Sequence, residues 1–209
     1  MKALIAILSC HVHRHFQQAQ RETWIKILPA EVDYKFVLGN PIVDAEPDEI
    51  FFDTSDDYRS SVYKSYQIVK WALENGYDYV FECDTDTMII PKKLMSSGFE
   101  QYDYYGGGWT YASGGSGFWL SVKAMKALLE EPILPDGPPH DIFTAETMKK
   151  HNIPFSIHDG YEYAPGWRLH ADTVTYHLGS VFGWAGTVPP YTPSMMYENW
   201  NLAKQMGLV

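Results

Sequence analysis

Two carboxylates, Asp84 and Asp86, stand one residue apart at the end of a mostly apolar stretch, residues 79–83. An apolar run of this length followed by polar residues predicts a buried strand. Carboxylates at the end of such a strand are costly to desolvate, so a cation, a positive side chain or water usually holds them. Two such groups suit a hard divalent ion such as Mg²⁺ or Mn²⁺, and that ion in turn suits a diphosphate.

The segments around this pair predict an α/β unit with a mostly parallel sheet flanked by helices. Ligands bind at the carboxyl ends of strands in an open α/β sheet, so the position of the Asp pair fits a binding site. Residues 60–75 have apolar side chains at helical spacing, and Gly76 stands where a left-handed C-cap is needed. Further strands are predicted at residues 4–8, 33–38 and 49–52, and a helix at residues 14–27.

Several residues near the predicted strand ends are candidates for binding a nucleotide. Ser9 and His11 follow the first strand, Asp53 follows the third, and Thr85 lies between the two carboxylates. Lys64, on the predicted helix, could meet a phosphate or pair with a site carboxylate such as Asp84. On a helix surface it could equally face solvent.

The second half of the chain mixes glycines with aromatic residues. A turn at Gly114 and Gly115 can bring backbone close to a sugar, and Trp109 and Tyr111 offer flat apolar faces to a pyranose ring. Such aromatic residues also occur in ordinary cores. Ser121 is a predicted N-cap of a helix that extends to residue 130, and a proline-rich loop follows at residues 131–140. A short helix is predicted at residues 142–151.

Length and composition indicate a folded chain with one core. With 209 residues, 45% of them hydrophobic and 15% aromatic, the chain is long enough for one sizeable core and short for two. Its net charge of −10 argues against a nucleic acid or an anionic membrane as partner. An anionic nucleotide held by a metal ion and local cations remains compatible with this charge.

The cysteine content and the hydropathy pattern bear on the compartment. The only two cysteines, Cys10 and Cys83, lie in or beside apolar runs, so we expect no disulfide framework and a reducing, cytoplasmic compartment. No run approaches the roughly 18 apolar residues of a membrane span. We therefore expect a soluble chain without a membrane span.

A series of sequence blocks resembles the β1,3-glycosyltransferases of the core 1 galactosyltransferase and fringe type. The order of the blocks along the chain is more specific than any one of them. They are Arg21-Glu22-Thr23-Trp24, Phe36-Val37-Leu38-Gly39, the helix that begins Tyr58-Arg59-Ser60-Ser61, Asp84-Thr85-Asp86-Thr87, Ser113-Gly114-Gly115-Ser116-Gly117 and His140-Asp141-Ile142.

The resemblance implies an A-type glycosyltransferase (GT-A) fold over residues 1–209, with a nucleotide-binding half at 1–90 and an acceptor-side half at 91–209. That family transfers a hexose or deoxyhexose from a UDP-sugar to a glycan acceptor, uses Mn²⁺ or Mg²⁺, and inverts the anomeric centre. By position, Asp86 is then a direct metal ligand, Asp84 a metal or ribose contact, and His177 the remaining protein ligand. Without the resemblance, His177 is an ordinary half-buried strand histidine.

The same resemblance makes Asp141 the base that takes the proton of the acceptor hydroxyl. An Asp ahead of an apolar helical run is also a common N-cap, so a purely structural role stays open. The sequence departs from the family at His140, where the family has Glu. Family members in eukaryotic secretory pathways carry a membrane anchor, a stem and several cysteines, which this sequence does not show. We therefore expect a compact microbial or viral relative, or a catalytic domain of a longer protein.

Three alternatives stay open from sequence. The run Asp84-Thr85-Asp86-Thr87 also fits the first motif of haloacid-dehalogenase-type phosphohydrolases, with Asp84 as nucleophile. That class needs a later acidic pair, and the only adjacent Asp pair, Asp56 and Asp57, lies upstream. A retaining transferase with the same fold and a non-catalytic sugar- or nucleotide-binding module are the other two.

Overall fold

The computed structural model describes residues 1–40, 44–133, 137–162, 169–179 and 190–209. Residues 134–136 of the predicted proline-rich loop lie outside the described residues. The strands are β1 (Ala3–Leu8), β2 (Val32–Gly39), β3 (Glu49–Phe52), β4 (Tyr79–Asp84), β5 (Thr87–Ile89), β6 (Tyr104–Gly106), β7 (Phe118–Ser121), β8 (Phe155–Ile157), β9 (Tyr161–Glu162) and β10 (Thr175–His177).

Seven of these strands form one twisted central sheet in the order β3-β2-β1-β4-β7-β6-β8. The strands β3, β2, β1 and β4 are parallel to one another, and β8 is parallel to β6. Only β7 runs antiparallel to its two neighbours, β4 and β6. The predicted mostly parallel α/β sheet is therefore confirmed, and it continues from the first half of the chain into the second through the β4–β7 pair.

Helices cover both faces of the sheet: α1 (Arg14–Glu22), α2 (Ser61–Glu74), α3 (Pro91–Met95), α4 (Val122–Glu130), α5 (His140–Lys150) and α6 (Pro193–Gln205). Because side chains of a strand alternate between faces, Ile5 and Ile7 of β1 join the core beneath α1 and α6, whereas Leu4 and Ala6 join the core beneath α2, α4 and α5. No helix in the described part of the chain is long and apolar enough to cross a membrane.

The predicted helix ends at Gly76 and Ser121 are confirmed. Gly76 has φ of +72°, the left-handed conformation that a C-cap glycine adopts, and its backbone N–H donates to Leu73 O. Ser121 accepts a hydrogen bond from the Ala124 backbone N–H at 3.3 Å, which satisfies one donor of the first turn of α4.

Two predicted helices differ from the observed ones. The helix expected at residues 14–27 ends at Glu22, because the Thr23 hydroxyl donates to Ala19 O at 2.6 Å and the chain continues as a 3₁₀ turn, Trp24–Ile27. The helix expected from residue 142 begins at His140 instead, with Pro139 as N-cap, so Asp141 lies inside its first turn.

A second, small sheet in the order β5-β10-β9 lies beside the carboxyl end of β4. The chain turns directly from β4 into β5, and β5 pairs antiparallel with β10, which places His177 opposite Thr87. The Leu178 backbone N–H donates to Asp86 O at 3.0 Å. These pairings hold the segment that carries His177 against the Asp pair.

Candidate functional site

A cavity of about 450 Å³ lies at the carboxyl ends of β1 and β4. We call it the central cavity. Eight of the residues singled out in the sequence line it: Ser9, Lys64, Asp84, Thr85, Asp86, Gly115, Asp141 and His177. The structure thus gathers, from six separate parts of the chain, groups that can bind a charged ligand.

In the wall of this cavity, Asp86 is buried and Asp84 is half-buried. Burial raises the pKa of Asp84 to about 6, with the charge of Asp86 adding to the rise and that of His140 opposing it. The Asp86 side chain is only 2% exposed, and its Oδ1 atom has no hydrogen-bond partner among the described residues. Two close carboxylates with an unpartnered oxygen form a site that favours a cation.

His177 lies next to the Asp pair. Its Nε2 atom lies 3.4 Å from Asp86 Oδ2. Gly115 permits the approach of the imidazole, because a Cβ at this position would lie 2.6 Å from His177 Nδ1 and Cε1. The Thr87 hydroxyl donates to Gly115 O at 2.8 Å, which fixes the glycine against the start of β5.

The chemistry of Asp84, Asp86 and His177 fits a divalent ion such as Mn²⁺ or Mg²⁺, which accepts carboxylate oxygens and, for Mn²⁺, imidazole nitrogen. Among the described residues, no three His, Cys, Asp or Glu side chains are arranged so that they could hold a metal ion. An ion held here would therefore take further oxygens from its ligand or from water.

Lys64 is buried, and its partners belong to the protein. Its Nζ atom donates to Ser9 O at 2.7 Å and to Asp56 Oδ1 at 3.2 Å. The backbone N–H groups of His11 and Gly39 donate to Asp56 at 2.6 and 2.7 Å. Of the roles considered for Lys64, the structure shows an ion pair with a site carboxylate, and that carboxylate is Asp56.

Asp141 faces the cavity from the first turn of α5. Its Oδ1 atom accepts the Ile142 backbone N–H at 2.9 Å, and its Oδ2 atom accepts the Gly114 backbone N–H at 3.4 Å. The carboxylate is therefore oriented by backbone groups on two sides. A Cβ at Gly114 would lie 3.3 Å from Asp84 Oδ2, so this turn separates the Asp pair from Asp141.

The structure does not place five of the singled-out residues in the lining of the central cavity. Gly114 is one of them, although its backbone N–H donates to Asp141. Asp53 is exposed on the loop after β3. His11 lies outside the lining, with its Nε2 atom 2.8 Å from Asn40 O. Trp109 is 78% exposed, and Tyr111 lines a second cavity of about 630 Å³, which we call the side groove.

The cavity also contains groups that the sequence analysis did not assign to it: Asp56, Asp57, Tyr58, His13, Ser113 and His140. In the sequence, the adjacent pair Asp56 and Asp57 bears only on the phosphohydrolase alternative, which needs an acidic pair after Asp84. Burial raises the pKa of Tyr58 to about 12, and the charges of Asp141 and Asp84 add to this rise. Asp56 and Asp57 carry no sequence signal of their own, because they lie in a loop without hydrophobic periodicity.

Comparison with known proteins bears on the fold. No protein-family model and no curated protein sequence matches the chain. A Desulfovibrio desulfuricans G20 protein described as a nucleotide-diphospho-sugar transferase is similar in structure, with a TM-score of 0.52, 14% identity, and coverage of 76% of this chain and 80% of that chain.

Two glycosyltransferase structures align over more of the chain. An enzyme involved in glycosylation of the major capsid of PBCV-1 has a TM-score of 0.55 and 14% identity over 95% of this chain and 99% of its own. GlyE of Streptococcus pneumoniae TIGR4 has a TM-score of 0.60 and 9% identity over 100% of this chain and 64% of its own. The chain therefore has the GT-A fold of nucleotide-diphospho-sugar transferases.

Proposed function

We propose that the protein is a metal-dependent glycosyltransferase that moves a hexose or deoxyhexose from a UDP-sugar to a carbohydrate acceptor. The observation that carries the proposal is the meeting of Asp84, Asp86 and His177 in one cavity with Asp141, at the carboxyl end of β4. In this fold that edge of the sheet is where a ligand binds.

The charges of the central cavity support a nucleotide bound through a cation. Five carboxylates line it: Asp56, Asp57, Asp84, Asp86 and Asp141. Lys64 is the only Lys or Arg among the described lining residues, and it is already paired with Asp56. A diphosphate would be repelled here unless a divalent ion stood between it and the carboxylates.

The residues present define how such an ion and its nucleotide would be held. Asp86 and His177 are the proposed direct ligands, and Asp84 is either a third ligand or a contact to the ribose. When bound, the ion supplies positive charge to the diphosphate leaving group. Lys64, through Ser9 and Asp56, holds the loop after β1 in place on the nucleotide side of the cavity.

Asp141 is the proposed base. Its carboxylate takes the proton from the acceptor hydroxyl as that oxygen forms a bond to the anomeric carbon, while the bond from this carbon to the diphosphate breaks. The proton ends on Asp141 and UDP leaves with the bonding electron pair. Attack from the side opposite the diphosphate inverts the anomeric centre.

The side groove is the proposed place for the rest of the acceptor. Ile142, next to Asp141 on α5, lines the side groove together with Tyr104, Tyr111 and Phe155. The polar side chains of Glu146 and Asn152 also line the side groove. Aromatic rings suit the apolar faces of a sugar, and polar side chains suit its hydroxyl groups. Trp109, which precedes Thr110 of the groove lining in the chain, is exposed and is a further candidate for contact with the acceptor. The glycosyltransferase names of the similar structures support the same class of reaction.

Calorimetric titration of UDP tests the proposal, with Mn²⁺ in one series and EDTA in the other. We expect UDP to bind with Mn²⁺ and not with EDTA. UDP release from a panel of UDP-sugars with glycan acceptors then identifies the donor, and the anomeric configuration of the product by NMR distinguishes inversion from retention. The absence of UDP binding in both series contradicts the proposal and directs the next assay to phosphatase activity with Mg²⁺.

A further inference from the structure

His140 is a buried imidazole to which the proposed mechanism assigns no role. Its side chain lines the central cavity, and the residue is only 4% exposed. Neither Nδ1 nor Nε2 has a hydrogen-bond partner among the described residues. A buried polar group without a partner loses the free energy of its bonds to water, so this ring calls for a partner from outside the chain.

The neighbours of His140 hold the ring in place. Phe118 stacks beside it, with ring centroids 6.2 Å apart and an angle of 26° between the planes. Gly114 leaves room for it, because a Cβ there would lie 2.8 Å from His140 Nε2. The nearby carboxylate of Glu82 is fully buried, and the Ser65 hydroxyl donates to it at 2.8 and 2.9 Å.

The position of the ring indicates which part of a ligand it meets. His140 precedes Asp141 in the chain, and a Cβ at Gly114 would lie 2.8 Å from His140 Nε2 and 3.3 Å from Asp84 Oδ2, so the ring lies near both the proposed metal ligands and the proposed base. A sugar attached to a diphosphate at Asp84 and Asp86 must occupy this space for Asp141 to reach its acceptor. The ligand group nearest to His140 is then a hydroxyl of the transferred sugar.

We propose that His140 hydrogen-bonds a hydroxyl group of the transferred sugar and so determines which UDP-sugar the enzyme selects. This inference rests on the proposed function. A neutral imidazole carries one donor and one acceptor, and a hydroxyl group matches either of them. A phosphate oxygen is a poorer partner at this point, because the carboxylates of Glu82 and Asp84 lie close by.

The test compares UDP with UDP-sugars. Titrations with Mn²⁺ measure the affinities of UDP, UDP-glucose, UDP-galactose and their monodeoxy analogues for the unaltered protein, His140→Ala and His140→Gln. For His140→Ala we expect UDP affinity within about twofold of the original and about tenfold weaker binding of the preferred UDP-sugar. His140→Gln retains a donor and an acceptor and should recover part of that loss.

Monodeoxy donors identify the hydroxyl that His140 contacts. Removal of that hydroxyl should weaken binding to the unaltered protein about tenfold and leave binding to His140→Ala unchanged. His151→Ala is the matched control, because His151 pairs with Glu131 away from the cavity.

Equal weakening of UDP and UDP-sugar in His140→Ala, or no weakening of either, overturns the inference. If His140→Ala does not fold, His140→Phe, which fills the space of the ring without a hydrogen-bonding group, decides by the same ratio of affinities. Failure of the unaltered protein to bind UDP with Mn²⁺ is a different result, since it contradicts the proposed function itself.

Discussion

The imidazole of His177 and the carboxylate of Asp86 meet where the two sheets join, with Nε2 lying 3.4 Å from Oδ2. Asp86 lies in the turn between β4 of the central sheet and β5 of the small sheet, whereas His177 ends β10, the partner of β5. Their approach depends on the β5–β10 pairing and on the missing side chain at Gly115. The proposed metal site is therefore a product of tertiary structure around a short sequence motif.

Substitution of Asp86 should separate function from stability. We expect Asp86→Asn to weaken Mn²⁺-dependent UDP binding about a hundredfold or more, because it removes a proposed direct ligand. The same change removes a buried charge beside Asp84, so the metal-free protein should unfold at the same temperature or about 2–4 °C higher. Calorimetry and thermal unfolding in EDTA measure the two effects.

Asp53→Asn is the matched control for Asp86→Asn, because Asp53 is exposed and lies outside the cavity lining. It should change neither UDP affinity nor the unfolding temperature. Unaltered UDP affinity of Asp86→Asn in the presence of Mn²⁺ would remove Asp86 from the metal site.

Gly115→Ala should impair the metal site without removing any ligand. The new methyl group would stand 2.6 Å from two atoms of the His177 ring, so the ring must move away from Asp86. We expect about tenfold weaker Mn²⁺ affinity, measured as the Mn²⁺ dependence of UDP binding. Gly207→Ala serves as control for the Mn²⁺ titration, because Gly207 lies outside the cavity lining and a Cβ there meets no atom within 4 Å; its φ of +70° lowers stability only. A normal Mn²⁺ titration of Gly115→Ala would show that the position of His177 does not matter to the ion.

Much of the fold follows from local sequence patterns. Strand β3 occupies the predicted residues, β1 begins one residue earlier than predicted, and β2 and α2 differ from their predicted bounds by one residue at each end. These elements are determined by hydrophobic periodicity and by cap residues, and both signals lie inside the element or within a few residues of its ends. The early end of α1 was not predictable from periodicity, because it depends on one hydroxyl, that of Thr23, bonding to its own helix.

The candidate site was predictable only where a motif marks it. Asp84 and Asp86 stand out because two charges end an apolar run, whereas Asp56 lies in a loop and acquires its role from Lys64, His11 and Gly39, which other segments supply. His140 gave no signal of its own, because its burial depends on Phe118 and Gly114 from a distant part of the chain. Contacts of this kind have no local sequence pattern.

Removal of the buried cation at Lys64 should destabilise the fold. Lys64→Met leaves the Asp56 carboxylate, which is mostly buried, without its cation, and we expect a loss of about 3–5 kcal/mol in the free energy of unfolding. The double variant Lys64→Met, Asp56→Asn should lose less than the sum of the single variants, because the pair acts as a unit. Urea unfolding measures all three.

Lys123→Met is the matched control for Lys64→Met, because Lys123 forms an exposed pair with Asp103 and should contribute about 0–1 kcal/mol. Strictly additive losses in the double variant would show that Lys64 and Asp56 stabilise the protein independently.

The pair Arg21 and Asp48 should make stability depend on acid pH. Burial would raise the pKa of Asp48, but the hydrogen bonds and charge of Arg21, with a hydrogen bond from Tyr34, outweigh burial and lower this pKa below its ordinary value. A lowered folded-state pKa stabilises the protein above the ordinary Asp value of about 4, and this stabilisation is lost as pH falls through the folded-state value.

Asp48→Asn should therefore be less stable than the original protein by about 1–3 kcal/mol at pH 7. The two proteins should approach equal stability as the pH falls from about 4 towards 2. Urea unfolding across this range measures the difference, and Asp53→Asn, at an exposed position, provides the comparison. A difference between Asp48→Asn and the original protein that does not change with pH would show that the charge of Asp48 contributes no stability.

Asp141→Asn distinguishes a base from a structural residue of the helix. The amide oxygen can still accept the hydrogen bond from the Ile142 backbone N–H at 2.9 Å, and only the longer bond from the Gly114 N–H at 3.4 Å is lost, so α5 should keep its structure. We expect unchanged unfolding temperature and UDP affinity, with transfer reduced by about 10²–10⁴-fold, because the amide cannot take the acceptor proton. UDP release in the presence of acceptor measures transfer.

Asp57→Asn, at another carboxylate of the same cavity, should retain transfer and thus exclude a general effect of charge. Near-normal transfer by Asp141→Asn would assign Asp141 to the first turn of α5 alone.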